Sequence, residues 1–136
     1  MRATARMAVL ALMAGLAAPL AADARSLRDV RAVDDGLTVV AIGNAIRKTC
    51  PQIEARRLRA MGYMRGLADL ARQAGFSEEE IRAHVEDRAE KARVKAAAAA
   101  YLAAQGAKEG DVPGHCAAGR AEIERNSQVG RLLRVN

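Results

Sequence analysis

One phenylalanine, two tyrosines and no tryptophan must serve a chain of 136 residues. Aromatic side chains bring the largest apolar areas to a core, so this chain has to be built from small residues packed close together. A β-sandwich of this length needs many β-branched and aromatic side chains on its inner faces, and they are missing. Alanine is the commonest member of the 51% apolar fraction, and it is the strongest helix former. No internal repeat runs through the sequence, and its 22 basic and 16 acidic residues are intermixed. That removes collagen-like, coiled-coil and low-complexity readings. The length allows one domain at most. The expectation is an all-α protein, a small bundle of about four helices.

The first 24 residues carry a different message. Arg2 and Arg6 precede an uncharged run from Met7 to Leu20, and Ala22-Asp23-Ala24 follows as an Ala-x-Ala site. This is the order of a secretory signal peptide, cleaved near Ala22 or Ala24. The apolar run is shorter than the roughly 20 residues needed to cross a bilayer. No cysteine follows it and no twin-arginine pair precedes it, so neither a lipoprotein nor export of a folded chain is indicated. The protein is expected in a periplasm. The chain is basic, with a formal charge of +6. In an exported protein without aromatics to stack on bases, nucleic acid is not the expected partner. An acidic protein surface fits the charge better, with weak association to anionic lipid as a further option. The alternative is that the charge serves solubility alone.

Cys50 and Cys116 are the two cysteines. In an oxidising compartment an even pair reads as one disulfide. A redox site would need an exposed, low-pKa thiolate, usually in Cys-x-x-Cys, and this spacing is nothing like it. A zinc site would have to recruit His84 and His115, but His115 and Cys116 are adjacent and no ligand spacing results.

Helical spacing divides the rest. Residues 25–36 are polar and end in Asp34-Asp35-Gly36, which reads as an extended segment leading into a helical domain over 37–136. A first helix is expected from Leu37 to Lys48, stopped before Pro51. Pro51 can then open a second helix, whose apolar face is Ala60, Met64, Leu67, Ala71 and Ala74 and whose end is Gly75. Arg56, Arg57 and Arg59 crowd the start of that helix, where the dipole disfavours cations. They are either a functional feature or a solvated charge cluster. Ser77 with Glu80 forms a capping box, and Phe76 with Ile81 a hydrophobic staple. The helix they open is expected to run to Gln105 with an inner stripe of Ile81, Val85, Ala89, Ala92, Ala96, Ala99 and Ala103. Val94 and Tyr101 fall on its other face. A fourth helix begins near His115 and carries Cys116 and Ile123, with Arg120 between them. Asn126-Ser127 is a stop followed by a new cap.

No catalytic constellation emerges. Gly114 and Gly119 have the spacing of a phosphate loop, but the Lys and Ser or Thr that touch phosphate and magnesium are absent. There is no nucleophile elbow, and Glu78, Glu79 and Glu80 simply complement a helix N-terminus. Neither an enzyme, a cofactor nor a metal site is expected.

Three stretches carry a resemblance. They are Ile46-Arg47-Lys48-Thr49-Cys50; Glu90-Lys91-Ala92-Arg93-Val94 with Ala100-Tyr101-Leu102; and Cys116-Ala117-Ala118-Gly119-Arg120-Ala121-Glu122-Ile123 with Ser127-Gln128-Val129-Gly130-Arg131-Leu132-Leu133. Between about Leu37 and Leu133 the chain resembles an uncharacterised family of small exported alphaproteobacterial proteins of the Rhodobacter and Paracoccus group. That family carries no assigned activity, so it transfers no catalytic residue. Its genes are associated with those of respiratory complex I, and the partner it implies is a membrane respiratory complex. The function expected is a non-enzymatic periplasmic helical interaction module that docks on an inner-membrane partner. The alternative is a small periplasmic stress holdase resembling acid chaperones. The candidate docking surface is the C-terminal tail, with Val129, Leu132 and Leu133 as its apolar residues and Arg120, Arg131 and Arg134 as a basic edge. The other outcome for that tail is folding back into the core.

Overall fold

The computed structural model describes residues 25–136. The signal-peptide reading of residues 1–24 lies outside them. Six helices and a two-stranded ribbon make up the fold: α1 Arg31–Thr49, β1 Ile53–Ala55, α2 Arg57–Gln73, α3 Glu78–Glu86, α4 Arg88–Ala104, α5 Val112–Glu124, α6 Gln128–Arg131 and β2 Leu133–Val135. The described residues are mainly helical, as the composition requires, but form six helices rather than four.

Residues 25–36 are not an extended lead-in. Ser26 and Asp29 cap each other around a 3-10 turn at Leu27–Asp29, and α1 begins two residues later. Leu27, Val30 and Val33 step by three and face inward, where Leu27 and Val33 are buried with Ala71 and Phe76. The polar residues between them hide that stripe in the sequence.

α1 runs through the centre and touches α2, α4, α5 and α6. Its inner residues Ile42 and Ile46 meet Ile53, Ala98, Leu102, Val129 and Leu133 in the main core. A side chain such as Ile46, wholly buried, contributes about 2–3 kcal/mol relative to exposure. Cys50 closes α1, and its sulfur is bonded to Cys116 on α5 across a Cα–Cα distance of 5.1 Å. Gly119, one turn after Cys116, packs where a Cβ would collide with Ile46 and Ile53. Its spacing from Gly114 therefore serves helix packing.

Pro51 does not open a helix. It lies in a turn, and residues 53–55 form β1, paired antiparallel with β2: Ile53 opposite Val135, Glu54 opposite Arg134 and Ala55 opposite Leu133. α2 starts only after Arg56, whose N–H donates to the Leu132 carbonyl. The expected helix over 77–105 is also two helices. The Asp87 backbone is extended, and its side chain accepts the Glu90 N–H at 2.8 Å, closing α3 and capping α4. An aspartate offers that alternative to the continuing backbone ladder. After the break the inward face is Val94, Ala98 and Leu102, whereas Ala92, Ala96, Ala99 and Ala103 are exposed. With alanine nearly all round this helix, the larger residues decide which side is buried.

Candidate functional site

The C-terminal tail folds back. Ser127 caps α6 by accepting the Gly130 N–H at 3.0 Å, and Val129, Leu132 and Leu133 are all buried. Gly130 lies so close to the Glu122 backbone that a Cβ would overlap its carbonyl oxygen. The three apolar residues are core, the fold-back outcome rather than an open docking tail, and only Leu132 and Leu133 reach the surface, in the wall of the groove described next. Of the basic edge, Arg120 bonds the Gln52 side chain and Arg134 pairs with Glu54. These two arginines therefore grip positions two apart on the β1 segment, and Arg131 is exposed at the end of α6.

A groove opens elsewhere, where α2 leaves α1. Leu67 in the second half of α2 packs against Gly36, at which a Cβ would clash with the leucine. The first half of α2 then diverges. It leaves Met61 and Met64, 51% and 36% exposed, facing α1 across a space of about 870 Å³. Val40, Ala41 and Asn44 of α1 and Val94 of α4 line the groove, with His84 and Val85 of α3 and with Leu132 and Leu133. That volume lies within the usual range of binding clefts, which are largely apolar with a few polar groups. Among its lining residues α1 reaches from Leu37 to Arg47, about 15 Å of helix.

The charges around it are lopsided. Arg47, Arg57, Lys91 and Lys95 stand along the groove and form no ion pair among the described residues. Its two carboxylates are engaged. Glu54 pairs with Arg134. Glu90 accepts from Arg28 at 2.6 Å and from Arg93 at 3.0 Å, and Arg93 also reaches Asp34. Hydrogen bonding from Arg28, reinforced by Arg93, holds the Glu90 carboxyl down at about 2 despite partial burial. His84 Nε2 is enclosed without a hydrogen-bond partner, 3.7 Å from Glu90.

A second polar cluster escaped sequence reasoning altogether. Glu122, wholly buried, accepts from Tyr101 at 2.6 Å, from Gln105 at 3.1 Å, and from Arg125 and Ser127. Burial works to raise its carboxyl, but the Ser127, Tyr101 and Gln105 bonds and the Arg125 charge outweigh it and leave it below its ordinary value. Both oxygens are occupied, so this carboxylate fastens α4, α5 and α6 together. Its only sequence trace is the spacing of three to Arg125, common on any charged helix. His115 is buried too, its Nδ1 2.8 Å from the Asp111 carbonyl oxygen. Among the described residues no three His, Cys, Asp or Glu side chains converge as a metal site, and no helix is long and apolar enough to cross a membrane.

Residues 25–134 match the model of the Family of unknown function (DUF5333). The chain belongs to that family. No curated protein and no solved structure matches it. The DUF5333 match takes in every residue lining the groove, both cysteines and Glu122.

Proposed function

We propose that this DUF5333 protein is an exported, non-enzymatic interaction module that holds an acidic, amphipathic helix of a protein partner in the groove between α1, α2 and α4. The observation that carries the reading is an apolar cleft edged by four unpaired cations, with two accessible methionines in its wall. Methionine is flexible and polarisable, and is favoured where a surface must adapt to an incoming helix. An amphipathic helix docks through apolar residues three and four apart, and about 15 Å of groove takes nearly three turns of it. Carboxylates beside those anchors would meet Arg47, Arg57, Lys91 and Lys95, which steers encounter and fixes orientation.

Export is supported by the disulfide, which suits an oxidising compartment, and by a family match that starts directly after Ala24. The resemblance to exported alphaproteobacterial proteins directs the search for the partner to the inner membrane, with a respiratory complex first. The holdase alternative requires apolar surface released by acid, whereas the Glu90 carboxyl, held at about 2 by Arg28 and Arg93, keeps its ion pairs through mild acid.

The test is a pull-down from detergent-solubilised membranes with the protein and with its Met61→Asp/Met64→Asp variant. One stoichiometric partner, lost in the variant while the melting temperature holds, supports the module. Equal capture by both proteins, or acid-dependent binding of many unfolded proteins, rejects it.

A further inference from the structure

We propose that the corner where β1 passes into the first turn of α2 is a contact surface for an anionic membrane face, with Leu58 entering the acyl region and Arg56, Arg57 and Arg59 binding lipid phosphates. Leu58 is 85% exposed, more than any other large apolar residue described. A single exposed leucine is ordinary, but this one sits between arginines on both sides. None of the three arginines forms an ion pair among the described residues. The nearby carboxylate, Glu54, is engaged by Arg134.

Nothing in the stability of α2 asks for this arrangement. The start of α2 has no acidic residue in its first turn and no side-chain cap, and cations there oppose the helix dipole. The corner is held in place by the ribbon behind it, through the Arg56 N–H to the Leu132 carbonyl and the β1–β2 pairing. Arg57 and Arg59 flank the aliphatic apex with exposed guanidinium groups, and Arg56 stands half-buried behind them with its Nε enclosed and unpartnered; such groups match a bilayer in two ways. Their forked donors suit phosphate oxygens, and their stems lie along apolar surface while the heads stay at the interface. The patch spans residues 54–59 and Arg134 and contains no aromatic side chain on which a nucleic-acid base could stack. An aliphatic apex also has no role on a phosphodiester backbone. Met61, one helical turn beyond Leu58, belongs to the groove wall, so this contact would set the groove mouth close to the membrane surface. Arg57 borders both the corner and the groove, but Arg56, Leu58 and Arg59 do not line the groove, so the contact stands whatever the groove holds.

The chain contains no tryptophan, so Leu58→Trp gives a unique fluorescent reporter. The protein purified from its own cells is mixed with vesicles of phosphatidylcholine alone, or with about 30% phosphatidylglycerol, in about 0.1 M salt. Association is expected with the anionic vesicles only, with a blue shift of the tryptophan emission. Each arginine near an anionic surface strengthens partitioning about fivefold, so Arg56→Gln/Arg59→Gln should weaken it about thirtyfold with the helical circular dichroism unchanged. Neither Leu58 nor Arg59 lines the groove, so the partner pull-down should be unaffected by changes at these two positions. Equal binding to neutral vesicles, an unshifted emission, or insensitivity to the arginine changes would overturn the proposal. So would equally tight binding of a single-stranded RNA at the same salt, which would assign the corner to nucleic acid.

Discussion

Removing the tail after Asn126 separates a core tail from a docking tail. The truncation takes away Val129, Leu132 and Leu133, which are 4%, 5% and 2% exposed. At about 2 kcal/mol each for burial, their loss is about 6 kcal/mol, before the β2 ladder and the α6 cap are counted. Single domains are stable by only about 5–15 kcal/mol, so the truncated protein should be largely unfolded or molten at room temperature. Leu133→Ala makes the same point within a measurable range. A buried leucine reduced to alanine costs about 2–5 kcal/mol, and Leu133 lies in the main core beside Gly43. A loss of about 3 kcal/mol in a domain of this length lowers the melting temperature by about 12 °C. Urea melts followed by circular dichroism should show a lower midpoint with an unchanged slope. If Leu133→Ala and the truncation both melt within about 3 °C of the parent, the tail is not core and the fold described above is wrong in its last ten residues.

Other consequences are equally concrete. The disulfide closes a loop between residues 66 apart in sequence, so replacing Cys50 and Cys116 by serine should cost about 4 kcal/mol; the native protein should take up no maleimide until it is reduced. Glu90 has a folded pKa of about 2, below the ordinary 4.5. Its stabilisation is therefore present above about pH 4.5 and lost as the pH falls through about 2. The stability gap between the parent and Glu90→Gln should close over that interval, and a gap constant with pH would contradict the ion-pair account. Glu122→Gln should cost about 2–3 kcal/mol, because it sets an amide among hydrogen-bond donors inside the core; an unchanged urea midpoint would mean that the cluster fastens nothing.

What the sequence revealed were the features whose chemistry is local. The Ser77–Glu80 box, the Ser127 cap, the stop at Gly106 and the end of α2 at Gly75 are each specified by a few adjacent residues, and the structure has them. The cysteine pair was legible from compartment logic. The ribbon was not, because β1 and β2 are three residues each and join positions about 80 apart. A period-2 pattern cannot be read over so short a span. The choice of buried face on α4 failed for a related reason. Alanines at about half the positions, spread over every face, make the stripes look alike, and Val94 and Leu102 prevail through their size. The groove was invisible for a third reason: it is a gap left by the divergence of α2 from α1 below Leu67. The sequence shows Ala60 and Met64 on an apolar face, without showing that this half of the face lacks a neighbour or that Met61 borders the gap.

The groove's occupant can be captured directly. A photo-crosslinking amino acid placed at Met64, with another at the exposed Ala99 on α4 as control, would be activated in the host and the joined peptides sequenced. The account predicts that Met64 joins to one acidic, amphipathic segment of a single membrane-associated protein and that Ala99 does not. Crosslinks from Met64 to lipid alone, or equal and scattered crosslinks from both positions, would contradict it.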